Sequence, residues 1–410
     1  MPLPVAPYIQ PGLEGGYIPN PLIDPAGRSR VGTPLTLFEH NNQNGTNPFK
    51  WDKLTVGTGT LTDNFVGGST TLSTGGGLAN ASAVRASRYY IRYQVGKPIF
   101  FGASFNFGQG VDGVSKKNGF FDANNGAFIE QNGSVINLTT RNNGVDTPTP
   151  QSQWNFDKMD GTGPSGLVFN PLASQDLRMD FFGSLGIRFY LYLGAQFNLV
   201  HVLEGTNSPM PLSIGTLNLT VRQEIVNLSG VAGSTSFTVY NANVMSEGAT
   251  EQAVSFLTSA GRGTSLVAAT TRRPIFSIQA KTLTINGVNR NFGQIIGNTL
   301  SLITDANLFF EIIQNGVLTG ASFSSVGPTS IANSDISATA ISGGAMVTSG
   351  YLTATGNGAN STGSIPANIL SQFPVVYSSL QNTQDTISLV VTSMSGTANC
   401  AGAITWSELY

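Results

Sequence analysis

The chain has 410 residues, with 20 basic and 22 acidic side chains, 49 glycines and a formal net charge of −2. So little charge beside 40% hydrophobic residues excludes charge-driven disorder, and the near-neutral balance excludes a basic nucleic-acid footprint. One cysteine, Cys400, rules out an intrachain disulfide framework and a cysteine-rich zinc site, and two histidines, His40 and His201, leave little for a histidine metal cluster. A large, nearly neutral chain rich in Gly, Ser, Thr and Asn has the composition of an all-β protein with many turns.

Nine of the 20 prolines fall in the first 50 residues. Proline fixes φ and removes a backbone donor, so residues 1–50 are expected to form an extended arm laid against another surface. The start, Met-Pro-Leu-Pro-Val-Ala-Pro, has no basic region and no unbroken apolar run, so no secretory signal is expected.

From Trp51 the chain reads as strands. Tyr89–Val95 and Leu217–Arg222 alternate with period two, the pattern of half-buried strands. The apolar window Leu185–Leu203 contains Arg188, Gln196, Asn198 and His201. It divides into two strands around Gly194-Ala195 rather than forming a membrane helix. Asn-Gly pairs recur, and two of them predict hairpins, after Thr282–Ile285 and after Phe309–Gln314. Ala253–Ala260 and Ile365–Phe373 are the only stretches expected to be short helices. The flexible run Ser229–Thr235 suggests a boundary. The expected architecture is therefore all-β: an arm over 1–50 and two antiparallel, jelly-roll-like β-sandwich domains over 51–230 and 231–410. Residues 291–410 carry five acidic and no basic side chains, so their polar surface rests mostly on Ser and Thr.

The least repetitive stretch runs from Gln153 to Gly166 and contains Trp154, Asn155, Asp157, Asp160, Gly161, Gly163 and Gly166. Oxygen donors on a glycine-bent backbone suit Ca²⁺, which makes Asn155, Asp157 and Asp160 a weak calcium candidate. Their spacing departs from the EF-hand pattern, and local Asx-turns account for the same residues. The two aspartates also stand as a carboxylate pair of the kind glycosidases use, if they share a cleft. No Gly-x-Ser-x-Gly elbow accompanies the histidines, and Gly75-Gly76-Gly77 lacks the Lys-Ser/Thr of a phosphate loop. The aromatics Tyr89, Tyr90, Tyr93, Phe100, Phe101, Phe105 and Phe107, near Arg85, Arg88, Arg92 and Lys97, read as a core with a basic rim rather than as a stacking platform.

The run from Gln153 to Gly166 resembles a signature of structural proteins of tailed phages and marine viruses. Similar elements are Arg92–Lys97, Asn118–Gly126, Asp180, the turn Gly183–Gly186 with Arg188 after it, His201 with Asn207, and the closing Ala403–Glu408. The resemblance implies a virion component and implies no catalytic residue.

Together these readings give the expectation of a non-enzymatic virion structural protein, a capsid decoration or a tail or fibre component. It would be located in the virion, without cofactor, nucleic acid or membrane partner. Its partners would be other copies of itself, as a homo-oligomer, and other virion proteins. The alternative is an adhesin that binds a host-surface glycan, with exposed aromatics and Asn/Asp-rich loops as the contact surface.

Overall fold

The computed structural model describes residues 34–94, 96–182, 186–204, 214–230, 233–248, 256–285, 288–290, 292–354, 361–365 and 374–409. It is all-β, and the only helical turns among these residues are two three-residue 3₁₀ segments, Asn42–Asn44 and Gln151–Gln153. The chain divides into two compact units. The first comprises Met1–Ser87 and Ile91–Glu251, the second Arg88–Tyr90 and Gln252–Tyr410.

The first unit contains strands β1 (Pro34–Asn41), β2 (Trp51–Val56), β3 (Thr60–Asn64), β4 (Ser69–Ser73), β5 (Ser82–Ser87), β6 (Ile99–Asn106), β7 (Val114–Phe121), β8 (Gly126–Asn132), β9 (Val135–Asn142), β10 (Val145–Pro150), β11 (Gln175–Phe181), β12 (Gly186–Leu193), β13 (Gln196–Glu204), β14 (Val221–Asn227) and β15 (Ser236–Glu247). They form two antiparallel sheets. One runs β13-β12-β11-β6-β15-β4-β3, with β1 also paired to β15, and the other β10-β9-β8-β7-β14-β5-β2. The sheets are pressed together by aromatic side chains. Phe101 of β6 stacks on Phe120 of β7 at 6.2 Å, and Phe120 meets Phe181 of β11 edge-on at 5.4 Å. All three rings are removed from water, each contributing about 2–3 kcal/mol of burial free energy.

Arg85 is also fully buried between the sheets. Its Nε donates to Gln223 and its Nη1 to Asn42 and Thr70, and its guanidinium lies 4.1 Å from the Trp51 ring. Burial lowers its pKa to about 9.

The second unit is a smaller sandwich of two six-stranded sheets. The long strands Gln294–Thr304 and Ala398–Leu409 anchor one sheet; Arg273–Ala280, Thr386–Ser393 and Leu308–Gln314 lie side by side in the other. Ile275, Leu389, Leu302, Ile404, Cys400 and Trp406 belong to one buried cluster. Burial pushes the Cys400 thiol up to about 11, which makes it an inert core residue.

Several expectations change. The arm does not extend to residue 50. Pro34–Asn41 is a strand paired with β15 of the same chain, with a register shift between Thr36 and Phe38 and Phe38 buried, and Pro34, at the strand's first position, removes no interior ladder bond. Residues 1–33 lie outside the described residues.

Ser229–Thr235 does not separate the two units, since β15, which follows it, is hydrogen-bonded to β6, β4 and β1 of the first. Of the expected strand Tyr89–Val95, the described residues Tyr89–Gln94 form no strand, and Val95 lies outside the described residues. Arg88–Tyr90 belongs to the second unit, and only Ile91 makes a bridge, to Leu219. Phe256–Ala260, expected to be helical, lies in the strand Phe256–Gly261, which pairs with Ala398–Leu409; residues 253–255 and 366–373 of the expected helices lie outside the described residues.

The hairpin after Thr282–Ile285 forms, with Leu283–Ile285 against Val288–Arg290. The one after Phe309–Gln314 does not: Asn315 (φ +55°) bonds Asp385 and Thr386 instead, and the following strand Val317–Thr319 pairs with Ala340–Ser342. The turn at Gly194-Ala195 is as expected, with both residues at positive φ between β12 and β13.

Candidate functional site

The loop that drew attention in the sequence is stapled to the sandwich. Trp154 is buried and its Nε1 donates to the Thr149 carbonyl at 3.2 Å. The Asn155 side chain acts as a short strand partner: its Nδ2 donates to Val202 O and its Oδ1 accepts from Val202 N, both at 2.9 Å. Asn155 N also donates to Nδ1 of His201 at 3.2 Å, and burial lowers that histidine's pKa to about 4.

Asp157 is buried and accepts from Met159 N and Ser165 N, both at 2.9 Å. Gly163 is required beside it, because a β-carbon there would sit 2.2 Å from the Asp157 carboxylate. Asp160 is exposed and accepts from Thr162 N and Oγ1, which together with the Lys158 charge hold its carboxyl below the usual range. Gly161 and Gly166 supply positive φ.

Asp157 is buried and Asp160 exposed, so the two share no cleft; Asn155 Oδ1, both Asp157 oxygens and Asp160 Oδ1 accept from backbone donors. The loop covers the free edge of β13, which answers the hazard of an unpaired strand. Asp180 and Arg188, singled out with it, are cross-strand partners on β11 and β12. Gly183, Ser184, Leu185 and Asn207 lie outside the described residues.

Two sheet faces carry clusters of polar side chains. On the outer face of the β10-to-β2 sheet, Lys117, Arg141 and Arg222 meet Glu130, Asp146 and Glu224. Arg141 pairs with Asp146 at 2.6 Å, Lys117 with Asp146 at 3.0 Å, and Arg222 with Glu224 at 2.7 Å. Arg141 and Lys117 lie over the Phe128 ring. Burial works against the ionised form of Glu224, but the adjacent Arg222 and Lys117 charges hold its pKa below the usual range. Every charge in this cluster has a partner of opposite sign, so the cluster ties the face together and offers little to a ligand.

The outer face of the other sheet differs. Along β11, Asp176 and Arg178 alternate with the buried Leu177 and Met179 and so point outward, and Asp180, on the same side, is fully buried. Arg178 is stacked among rings, 4.2 Å from Phe100, 5.7 Å from Tyr190 and 5.9 Å from Phe197, and its Nε donates to Asp180 at 3.3 Å. Tyr192 and Phe197, cross-strand partners, meet edge-on at 5.2 Å and remain 43% and 46% exposed.

Toward the opposite edge the face becomes polar. Ser104 Oγ donates to Asp176 and lies 3.1 Å from Asn241 Oδ1, which accepts from Ser104 N at 3.2 Å. Asn243 lies over Gly102, where a β-carbon would come within 2.4 Å of its Oδ1. Beyond β15 and β1 a cavity of about 750 Å³ opens, with Glu39, Asn41, Asn241 and Asn243 on the sheet side and Asn44–Lys50 on the loop side. Lys50 Nζ donates to the Glu39 carbonyl at 2.8 Å across it. This volume falls within the usual range of small-ligand sites.

Sequence reading missed the face because its residues come from six separated strands. The alternation Asp176-Leu177-Arg178-Met179-Asp180 was the local signal that a charged face exists.

No family model matches the chain, and no curated protein does. Solved structures are similar in fold. A protein of unknown function from Shewanella oneidensis has 8% identity and a TM-score of 0.36, covering 57% of this chain and 98% of its own. A Bacillus licheniformis β-glucanase has 13% identity and a TM-score of 0.35, covering 50% and 96%. A glycosyl hydrolase family 16 protein from Mycobacterium smegmatis has 14% identity and a TM-score of 0.36, covering 51% and 100%. The expectations of a virion structural protein and of a chain without enzymatic activity are corrected here: the matched structures from Bacillus licheniformis and Mycobacterium smegmatis, among others, carry the names of glucanases and glycoside hydrolases. Neither expectation is retained. A likeness of this degree concerns the sandwich and transfers no activity.

Proposed function

We propose that the first unit binds carbohydrate on the outer face of the sheet that carries β11. The observation that carries this reading is the pairing of exposed rings with a fixed polar row. Tyr192 and Phe197 offer apolar surface that stays exposed in the folded chain, and Asp176, Ser104 and Asn241 lie beside it already hydrogen-bonded to one another. A sugar presents the same two chemistries, an apolar C–H face and a rim of hydroxyls that donate and accept. Exposed aromatic patches rimmed by polar groups are the usual form of a binding surface, and rings with few side-chain torsions lose little entropy on contact.

The test is calorimetric titration of the full chain with neutral oligosaccharides of several linkages, with release of reducing ends assayed on the same mixtures. The proposal predicts saturable binding to at least one series and none to simple polyols. Release of reducing ends would extend the reading to hydrolysis on this face, with Asp176 the first carboxylate to replace.

A further inference from the structure

The strand register shows how a bound chain would run. Two adjacent rows cross the sheet. One contains Phe197 and Tyr192, which pair, then Asp176, one residue beyond the Leu177–Leu191 pair, then Ser104, Asn241 and Asn41. The other contains Leu199, Tyr190, Arg178, Gly102, Asn243 and Glu39. Each row spans six strands, about 24 Å at ~4.8 Å per strand. The surface changes steadily along the rows, from rings at β13 and β12, through Arg178 and Asp176, to amides at β15 and β1. It ends at the cavity whose sheet side is Glu39, Asn41, Asn241 and Asn243. The platform and the cavity are therefore two ends of one band.

Charge limits what can lie there. Asp180 is spent on Arg178, whereas Asp176 and Glu39 form no ion pair among the described residues. On the cavity wall the Lys50 ammonium is bonded to the Glu39 carbonyl, so one cation stands against the two carboxylates; the remaining negative charge disfavours an anionic ligand, and the carboxylates accept hydrogen bonds from neutral hydroxyls.

We propose that the band takes a linear, neutral oligosaccharide laid across the strands, stacked on Tyr192 and Phe197 at one end and with its terminal sugar in the cavity beside Asn44–Lys50. This rests on the carbohydrate reading above and adds direction, length and charge to it.

The test uses the full chain and the neutral series that binds, as a ladder from disaccharide to hexasaccharide. A uronate oligomer of the hexasaccharide's length and the variant Asn44→Trp are measured alongside. Asn44 is exposed on the cavity wall, so an indole there fills the space without entering the core. Affinity is expected to rise at least about tenfold along the ladder, and Asn44→Trp to remove that rise while disaccharide affinity stays the same. The uronate oligomer is expected to bind at least about tenfold more weakly than the hexasaccharide. Affinity independent of length, an Asn44→Trp variant that binds the hexasaccharide like the parent, or equal binding of the uronate would each overturn the inference while leaving carbohydrate binding intact. Failure of every neutral oligosaccharide to bind the parent would instead remove the carbohydrate reading itself.

Discussion

The side-chain amide of Asn155 satisfies both backbone groups of Val202, accepting from its N–H and donating to its carbonyl at 2.9 Å each. One side chain thus pairs the outer edge of β13 and holds the 154–166 loop against it. Net hydrogen bonds are worth about 1 kcal/mol each. Asn155→Ala is therefore expected to cost about 1–2 kcal/mol in denaturant unfolding, with the fold retained. An unchanged midpoint would show that the loop is held by other contacts.

Asp157→Asn addresses the same loop from within. Both carboxylate oxygens accept backbone N–H bonds, and an amide offers one acceptor where two are needed. A loss of about 1–3 kcal/mol is expected from the donor left unpaired, measured by the same unfolding.

Gly102 lies at the middle of the binding face. A β-carbon there would meet Asn243 Oδ1 at 2.4 Å and the Phe100 ring at 3.2 Å. The Asn243 amide is the end of a side chain and can swing away, so Gly102→Ala is expected to fold. Oligosaccharide affinity should fall several-fold because the row through Asn243 is displaced. Unchanged affinity in titration calorimetry would place the ligand elsewhere.

The histidines give a pH dependence with a definite sign. Burial lowers His201 from 6.5 to about 4, and burial with the Arg85 and Lys50 charges lowers His40 to about 4 as well. The unfolded chain takes up these protons first. The contribution to stability is therefore complete above the ordinary histidine value and is lost as pH falls from about 6.5 toward 4. Denaturant midpoints followed across that window should fall, and His201→Gln should flatten the descent. A midpoint that stays level to pH 4 would contradict both shifts.

Much of the fold was legible because its signals are local. Gly194-Ala195 between two apolar runs marks a hairpin and the two strands on either side of it. The binding face was not, because Asn41, Ser104, Asp176, Tyr192, Phe197 and Asn241 become neighbours only through strand order, and the order of β11, β6 and β15 is a long-range property. The 154–166 loop misled for a related reason. Its Asp, Asn and Gly residues are those that metal sites use and also those that bond their own backbone, and spacing alone does not separate the two. Tyr89–Val95 alternates like a strand, yet Arg88–Tyr90 belong to the second unit, where Tyr90 packs on Phe292 and its carbonyl accepts from Gln294.

The central claim is tested most directly by titrating the parent chain, Tyr192→Ala and Phe197→Ala with the neutral oligosaccharide that binds the parent. Both rings are a little under half exposed, so each variant should keep the fold and lose about 1 kcal/mol in unfolding. The account predicts that each loses about tenfold in affinity, or about 1.4 kcal/mol, as removal of a stacking ring requires. Variants that bind like the parent, or a parent that binds no oligosaccharide, would contradict it.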